Sequence, residues 1–176
     1  MIYGYPARAA IAPGEQLVLH VSTSAPRFRV RFLRWGGRAI AVHESGWLPG
    51  KFAPPAGAGD DWDWPAYAFS LPAGLPSAPY IAWLEEPGGA PFSLAAGSAA
   101  CLFVLRGSGA SPILYKLPLA TWHAYNYSGG GCFYQDPPPS LSPPGARVSF
   151  HRPGGGIGGP VWCAPDHYDP ASPRQT

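Results

Sequence analysis

The sequence predicts an all-β protein: an immunoglobulin-like or Greek-key β-sandwich with an irregular Gly/Pro-rich C-terminal segment, a jelly roll being the alternative architecture. Three observations predict it. Short apolar runs, roughly eight of them, alternate or stay continuous for four to seven residues between turn residues. No segment carries a 3.6-residue apolar period over three turns, so long helices are not expected. The composition agrees: charged residues are 12% and hydrophobic residues 46%, and the 23 Gly and 24 Pro are the punctuation that many strands need. So much Gly and Pro would otherwise suggest disorder, but a disordered chain lacks the apolar surface to offset its ordering entropy, and this chain has it.

The elements follow in order. Pro13-Gly14 turns the chain into 16–22, where Leu17, Leu19 and Val21 share one face. Arg27 to Phe32 alternates strictly, with Arg27, Arg29 and Arg31 on one side and Phe28, Val30 and Phe32 on the other. Gly36-Gly37 ends that strand, and Arg38 to His43 is its expected hairpin partner. A loop over 53–61 precedes a strand from Ala66 to Leu71, closed by Pro72. Tyr80 to Leu84 is the next strand, and Ala100 to Leu105, apolar throughout, reads as central and buried on both faces. Strands are also expected at Ile113–Leu117, at Thr121–Asn126 and, after a Pro-rich loop, at Arg147–Phe150. The organisation predicted is a sandwich domain over 1–135 and a Pro/Gly-rich segment over 136–176, in which a strand at 146–150 completes the sandwich before an irregular tail.

Net charge is +2, too small to imply nucleic acid, but it is unevenly spread: +5 over 1–51 and −3 over 52–176. The three cysteines, Cys101, Cys132 and Cys163, lack C-x-x-C spacing, which argues against a zinc site or a disulfide framework. No apolar run approaches membrane-spanning length and no signal peptide is visible, so the expectation is a cytoplasmic protein with no membrane partner, or a segment cut from something larger.

Several segments occur together: Tyr3-Gly4-Tyr5, Ala12-Pro13-Gly14-Glu15, Phe28 to Gly36, Asp61-Trp62 with Trp64-Pro65, and Pro79-Tyr80-Ile81-Ala82. The most specific is Thr121-Trp122-His123-Ala124-Tyr125-Asn126 with Gly129-Gly130 and Phe133-Tyr134, and Val148-Ser149-Phe150-His151-Arg152-Pro153 closes the series. In this order they resemble the large catalytic subunit of N,N-dimethylformamidase and its relatives, whose pattern is similar to T-W-Q-A-Y-N-x-x-G-G-x-S-L-Y followed by V-S-F-D-R-P. The resemblance implies an amidohydrolase with a mononuclear iron held by tyrosine and glutamate oxygens, hard donors suited to a Lewis-acidic ferric ion. It also implies a following flavodoxin-like α/β domain that carries much of the site. No βαβ pattern follows Pro153 here, so the chain is read as the N-terminal β-domain portion without that domain. Tyr125 is the one metal ligand that carries over by motif. His123 stands where the family has Gln, His151 where it often has Asp, and Gly131-Cys132 interrupts the last run.

Three local clusters are candidate sites. His123 and Tyr125, with Trp122 and Asn126 beside them, would share one face of a strand and could bind a metal or a small polar ligand. Satisfied buried aromatics give the same pattern, and no Asp or Glu lies near in sequence to complete a site. Asp60, Asp61 and Asp63 interleave with Trp62 and Trp64, which suits a calcium loop or a stacking platform for sugar, or else a loop that caps the core. The Arg27, Arg29 and Arg31 stripe could meet phosphate, but a solvated strand face or an interface explains it better. Gly154 to Gly159 matches G-x-G-x-x-G only literally, because no strand-to-helix context surrounds it. Three functional readings stand: a ligand- or partner-binding module not catalytic alone, part of an iron-dependent amidohydrolase acting on small amides and completed by a second chain or an oligomer, and a carbohydrate-binding module. Whether the chain is an enzyme is left open.

Overall fold

In the computed structural model the described residues are 2–89, 92, 99–107, 109, 112–126, 128, 129, 133 and 147–154. They form nine strands and one short helix: β1 Ile2–Pro6, β2 Ala10–Ile11, β3 Leu17–Thr23, β4 Arg27–Arg34, β5 Ile40–Glu44, β6 Leu48–Pro49, β7 Ala66–Phe69, β8 Ala78–Glu85, β9 Ala100–Leu105 and α1 Leu119–Ala124. The protein is all-β, and its sheets pack as a sandwich. One sheet has the order β1-β3-β7, and the other β2-β9-β8-β4-β5, with β6 also paired to β4.

Alternation in the sequence becomes the inner faces of the two sheets. Leu17, Leu19 and Val21 of β3 and Phe28, Val30 and Phe32 of β4 are fully buried. The register Val30↔Leu84 and Phe32↔Ala82, then Ala82↔Cys101 and Tyr80↔Phe103, carries that face across β4, β8 and β9. Phe32 meets Phe69 of the opposite sheet edge-on at 5.4 Å, and Phe28 meets Tyr67 at 4.9 Å. Burying each such side chain contributes about 1.5–3 kcal/mol.

Of the two apolar strands, it is β8 rather than β9 that is buried on both faces. Ile81 and Trp83 point away from the inner core and are still only 0% and 3% exposed, with Phe92 edge-on to Trp83. In β9, Leu102 and Val104 are half-buried. The β4–β5 pairing shifts register between Phe32 and Leu33, leaving Val42 as an extra residue in β5.

β1 and β2 were not expected as strands. The chain leaves β3 after β1, crosses at 7–9, and β2 then pairs parallel with β9. Two short stretches at the N-terminus therefore cover an edge of each sheet.

Three expected strands are corrected. Ile113–Leu117 is irregular and pairs with no strand among the described residues; Ile113, Leu114 and Tyr115 are 80%, 94% and 78% exposed. Thr121–Asn126 is helical over Leu119–Ala124. Arg147–Phe150 joins no sheet; Ser149 N–H donates to the Ala58 carbonyl at 2.9 Å, so the segment docks on the 53–62 loop. Most of the tail, with Cys132 and Cys163, lies outside the described residues. No described helix is long and apolar enough to cross a membrane.

Candidate functional site

The first candidate cluster sits on the outer face of the small sheet. Tyr3 and Tyr5 point outward there because Gly4 pairs with inward-facing Val21. Tyr5 stacks on His20 at 4.9 Å, and Trp62 and Trp64 close over it. Trp62 donates its indole N–H to the Gly57 carbonyl and Trp64 to that of Pro54, while the His20 ring nitrogen Nδ1 lies 2.7 Å from the Trp64 carbonyl. Burial is the main reason that the Tyr5 phenol is pushed up to about 12. With Trp62 and Trp64 only 6% and 4% exposed, neither offers the open ring face that sugar stacking needs. Asp61 accepts a hydrogen bond from the Ser149 hydroxyl, and among the described residues no three His, Cys, Asp or Glu side chains converge to hold a metal.

The second cluster is rearranged by α1. Two residues apart on a helix point to nearly opposite sides, unlike two apart on a strand. His123 is accordingly buried, and Tyr125, at the end of α1, is 38% exposed. Trp122 is half-buried. Asn126 is buried and brackets the next turn: its Oδ1 accepts from Ser128 N–H at 3.0 Å, and its Nδ2 donates to the Pro153 carbonyl at 2.8 Å. At Gly129, φ is +85°, and an added Cβ would lie 2.6–2.7 Å from backbone atoms of Ala56, Gly57 and Ala58. Only glycine fits there, for conformation and for space alike.

Arg152, fully buried, joins these pieces. Its Nε donates to the Ser149 carbonyl at 2.9 Å and one terminal nitrogen to the His123 carbonyl at 3.0 Å; the other donates to the Ser128 carbonyl. The guanidinium thus closes α1, the 126–129 turn and the 149–152 turn onto one another. A second line of contacts ties the same segment to the tryptophan loop, through Ser149 to Asp61 and through Trp62 N–H to the His151 carbonyl at 3.0 Å. Candidate residues about sixty positions apart in sequence therefore meet on opposite sides of 147–154. Arg152 falls in the closing Val148-to-Pro153 motif, and nothing local in the sequence marks an arginine that becomes buried.

Beside this latch lies a pocket of about 120 Å³ between β1, β9, α1 and residues 150–154. His123, His151 and Arg152 are among the residues that line it, and Cys101, a free buried thiol pushed up to about 12 by burial, lies at its β9 side. The His123 ring packs on Phe150 at 4.4 Å, and its Nδ1 is buried without a hydrogen-bond partner. Burial first, then the charges of Arg152 and His151, hold its pKa down to about 4.

The arginine stripe is neutralised within the sheet. Arg29 pairs with Glu85 at 2.8 Å and Glu44 at 2.6 Å, and Arg31 with Glu85 at 3.1 Å and Glu44 at 3.5 Å. Arg27 and Arg29 also lie over the Trp47 ring at 5.1 and 5.2 Å. The face meets its own carboxylates, which leaves the phosphate reading without support.

Fold and latch define the class: a β-sandwich whose post-sheet segment, α1 with 126–129 and 147–154, is closed on itself by a buried arginine and tied to the 53–62 loop through Ser149 and His151. The family model for N,N-dimethylformamidase beta subunit-like proteins, C-terminal, matches residues 30–172, and the chain belongs to that family. The description carries the word C-terminal, whereas the motif resemblance placed the segment in an N-terminal β-domain portion of the large subunit; the family is common to both. Curated proteins and solved structures give no match.

For the iron that the resemblance implies, Tyr125 is the one ligand carried over by motif, and it lies 38% exposed at the end of α1. The described residues supply no convergent carboxylates to complete an iron site around it.

Proposed function

We propose that this chain is a β-sandwich ligand- or partner-binding module of a formamidase-related assembly, without amide-hydrolysing activity of its own. The observation that carries the reading is the apolar stretch Ile113-Leu114-Tyr115, 80%, 94% and 78% exposed, leading directly into the latched helix α1. Contiguous exposed apolar side chains of this kind mark interaction surfaces. Phe150, packed on His123 of α1, and Tyr125 at the end of that helix are also 50% and 38% exposed. The family's description as beta subunit-like fits a chain that works beside another. The portion of the large subunit that it represents, and the α/β domain expected beside it, belong to this proposal.

The test is association and turnover measured together. Light scattering of the purified chain, alone and with co-expressed neighbouring gene products, should show self-association or a complex. Leu114→Lys should weaken it at least tenfold while leaving the unfolding midpoint unchanged. Turnover of N,N-dimethylformamide by the isolated chain, or association indifferent to Leu114→Lys, would sink the reading.

A second reading, a part of an iron-dependent amidohydrolase completed by another chain, rests on the position of Tyr125, 38% exposed at the end of α1. Ferric tyrosinate gives a visible charge-transfer band, which Tyr125→Phe should abolish in the iron-loaded complex. A colourless complex that takes up no iron would dispose of it.

A further inference from the structure

Among the described residues the small sheet is one strand short of covering the large one. β1 packs on β9 and β8, and β7 lies over β4, where Phe69 meets Phe32 and Tyr67 meets Phe28. The large sheet continues past β4 to β5, and no described strand lies beyond β7 to face it. His43 marks the gap. It is paired with inward-facing Phe32 and stacks on that ring at 5.6 Å, yet it is exposed.

The outer edge of β7 is open to addition. Val21 N–H donates to the Pro65 carbonyl, and bonded pairs alternate along an antiparallel ladder. Tyr67 and Phe69 therefore exchange bonds with Leu19 and Leu17, whereas Ala66 and Ala68 aim N–H and C=O away from β3. Both alanines are exposed, and no charge, proline or register shift within Ala66–Phe69 guards this edge. The chain also holds an unused strand pattern. Ile113, Tyr115 and Leu117 alternate with Leu114 and Lys116, and no hydrogen bond ties the Leu114, Tyr115 or Lys116 backbone to another described residue. This segment does not reach the gap in its own chain. Leu117 is two residues, at most about 7 Å, from Leu119, which lines the pocket beside β1. A strand beyond β7 would lie three strand spacings from β1, about 14 Å.

We propose that residues 113–117 add to the small sheet of a second copy of this chain as its fourth strand, antiparallel to β7 and facing β5. With Tyr115 opposite Tyr67, Ile113 falls opposite Phe69 and Leu117 opposite Pro65, so three apolar side chains continue the inner face over His43. Leu114 and Lys116 fall beside Ala68 and Ala66, which brings Lys116 to the end of β7 that follows the exposed Asp63. The proposal rests on the reading of 113–115 as an interaction surface and names its occupant. The two fail separately, because Leu114→Lys reads the surface and the variants below read the edge that receives it.

The test follows the light-scattering mass of the purified full-length chain against concentration. The expected mass rises from one chain towards two. Ala68→Pro removes only an N–H that β3 does not use, so it should leave the circular dichroism spectrum unchanged and weaken association at least tenfold. An equimolar mixture of Ala68→Cys and Leu114→Cys chains should form a disulfide-linked dimer on mild oxidation that neither variant forms alone. A chain that stays monomeric at every concentration overturns the proposal, and one that is monomeric alone but binds another protein through Leu114 overturns it while leaving the module reading in place. Self-association indifferent to Ala68→Pro overturns it as well, as does a cysteine mixture that yields no linked dimer. If Ala68→Pro fails to fold, the cysteine mixture decides between the two outcomes.

Discussion

Arg152 and His123 show what single residues contribute to this protein. Arg152 donates to the carbonyls of His123, Ser128 and Ser149, three acceptors that no side chain of ordinary length could otherwise reach together. Arg152→Met would remove the guanidinium donor from all three carbonyls, at about 1 kcal/mol each, the His123 carbonyl keeping the Asn126 N–H at 3.2 Å. Its urea midpoint should drop by an amount equivalent to about 3 kcal/mol with an unchanged slope; a midpoint like the parent's would show that the latch contributes nothing. Arg152→Lys keeps the charge and loses the planar fork, and should recover only part of that loss. His123 acts through protonation. Its folded pKa of about 4 lies below the ordinary 6.5, so as pH falls the unfolded chain takes up the proton first. His123 therefore leaves stability untouched above pH 6.5, and stability is lost progressively between pH 6.5 and 4, by up to about 3 kcal/mol. Urea unfolding at pH 7 and pH 4.5 should show this loss in the parent and a smaller one in His123→Gln. An equal acid loss in both would assign the effect to other groups.

At the scale of elements, strands and helix owe their existence to different causes. In β4 the alternation of Arg and apolar residues dictates both faces, and the outer face is closed by Glu85, which is 8% exposed and bridges Arg29 and Arg31. Glu85→Gln should destabilise by about 1–2 kcal/mol, between the values for an exposed pair and a buried one. A double-mutant cycle with Arg29→Met would measure the coupling, and a coupling near zero would show that the network is ornamental. Helix α1 is only six residues, far shorter than a helix that stands alone. Its sequence mixes helix-favouring Leu119, Ala120 and Ala124 with strand-favouring Thr121 and Trp122, so local preference does not decide it. The helix holds because Arg152 caps the His123 carbonyl and Gly129 lets the following turn approach the 56–58 backbone. For that reason the 121–126 segment is misread from sequence alone, and so are 113–117 and 147–150: period-two patterning shows that a segment is extended or half-buried, not that a partner strand exists.

Across the whole molecule, apolar residues of similar size divide into two roles. Phe32 is fully buried between the sheets, in edge-on contact with Phe69 and Phe103, and Phe32→Ala should cost about 3–5 kcal/mol. Leu114, 94% exposed, should tolerate Leu114→Ala within about 0.5 kcal/mol. Thermal unfolding of the two variants checks the contrast, and a large loss at Leu114 would move that stretch from docking surface to core. Hydropathy assigns both residues alike; only the placement of the chain around the sandwich separates them.

The sequence by itself determined the sandwich. Alternation at 17–21 and 28–32, continuous apolar runs at 80–84 and 100–105, and Gly/Pro punctuation are local patterns, and a two-faced sheet has few ways to satisfy them. It also carried the family, through the T-W-x-A-Y-N-x-x-G-G segment and its Arg-Pro companion. The tertiary structure decided why those two segments travel together, since Asn126 binds the Pro153 carbonyl and Arg152 binds those of His123 and Ser128. It turned His123 inward and Tyr125 outward, and it buried Trp62 and Trp64. Each of these outcomes depends on contacts between residues about 25 to 90 positions apart, which no local periodicity encodes.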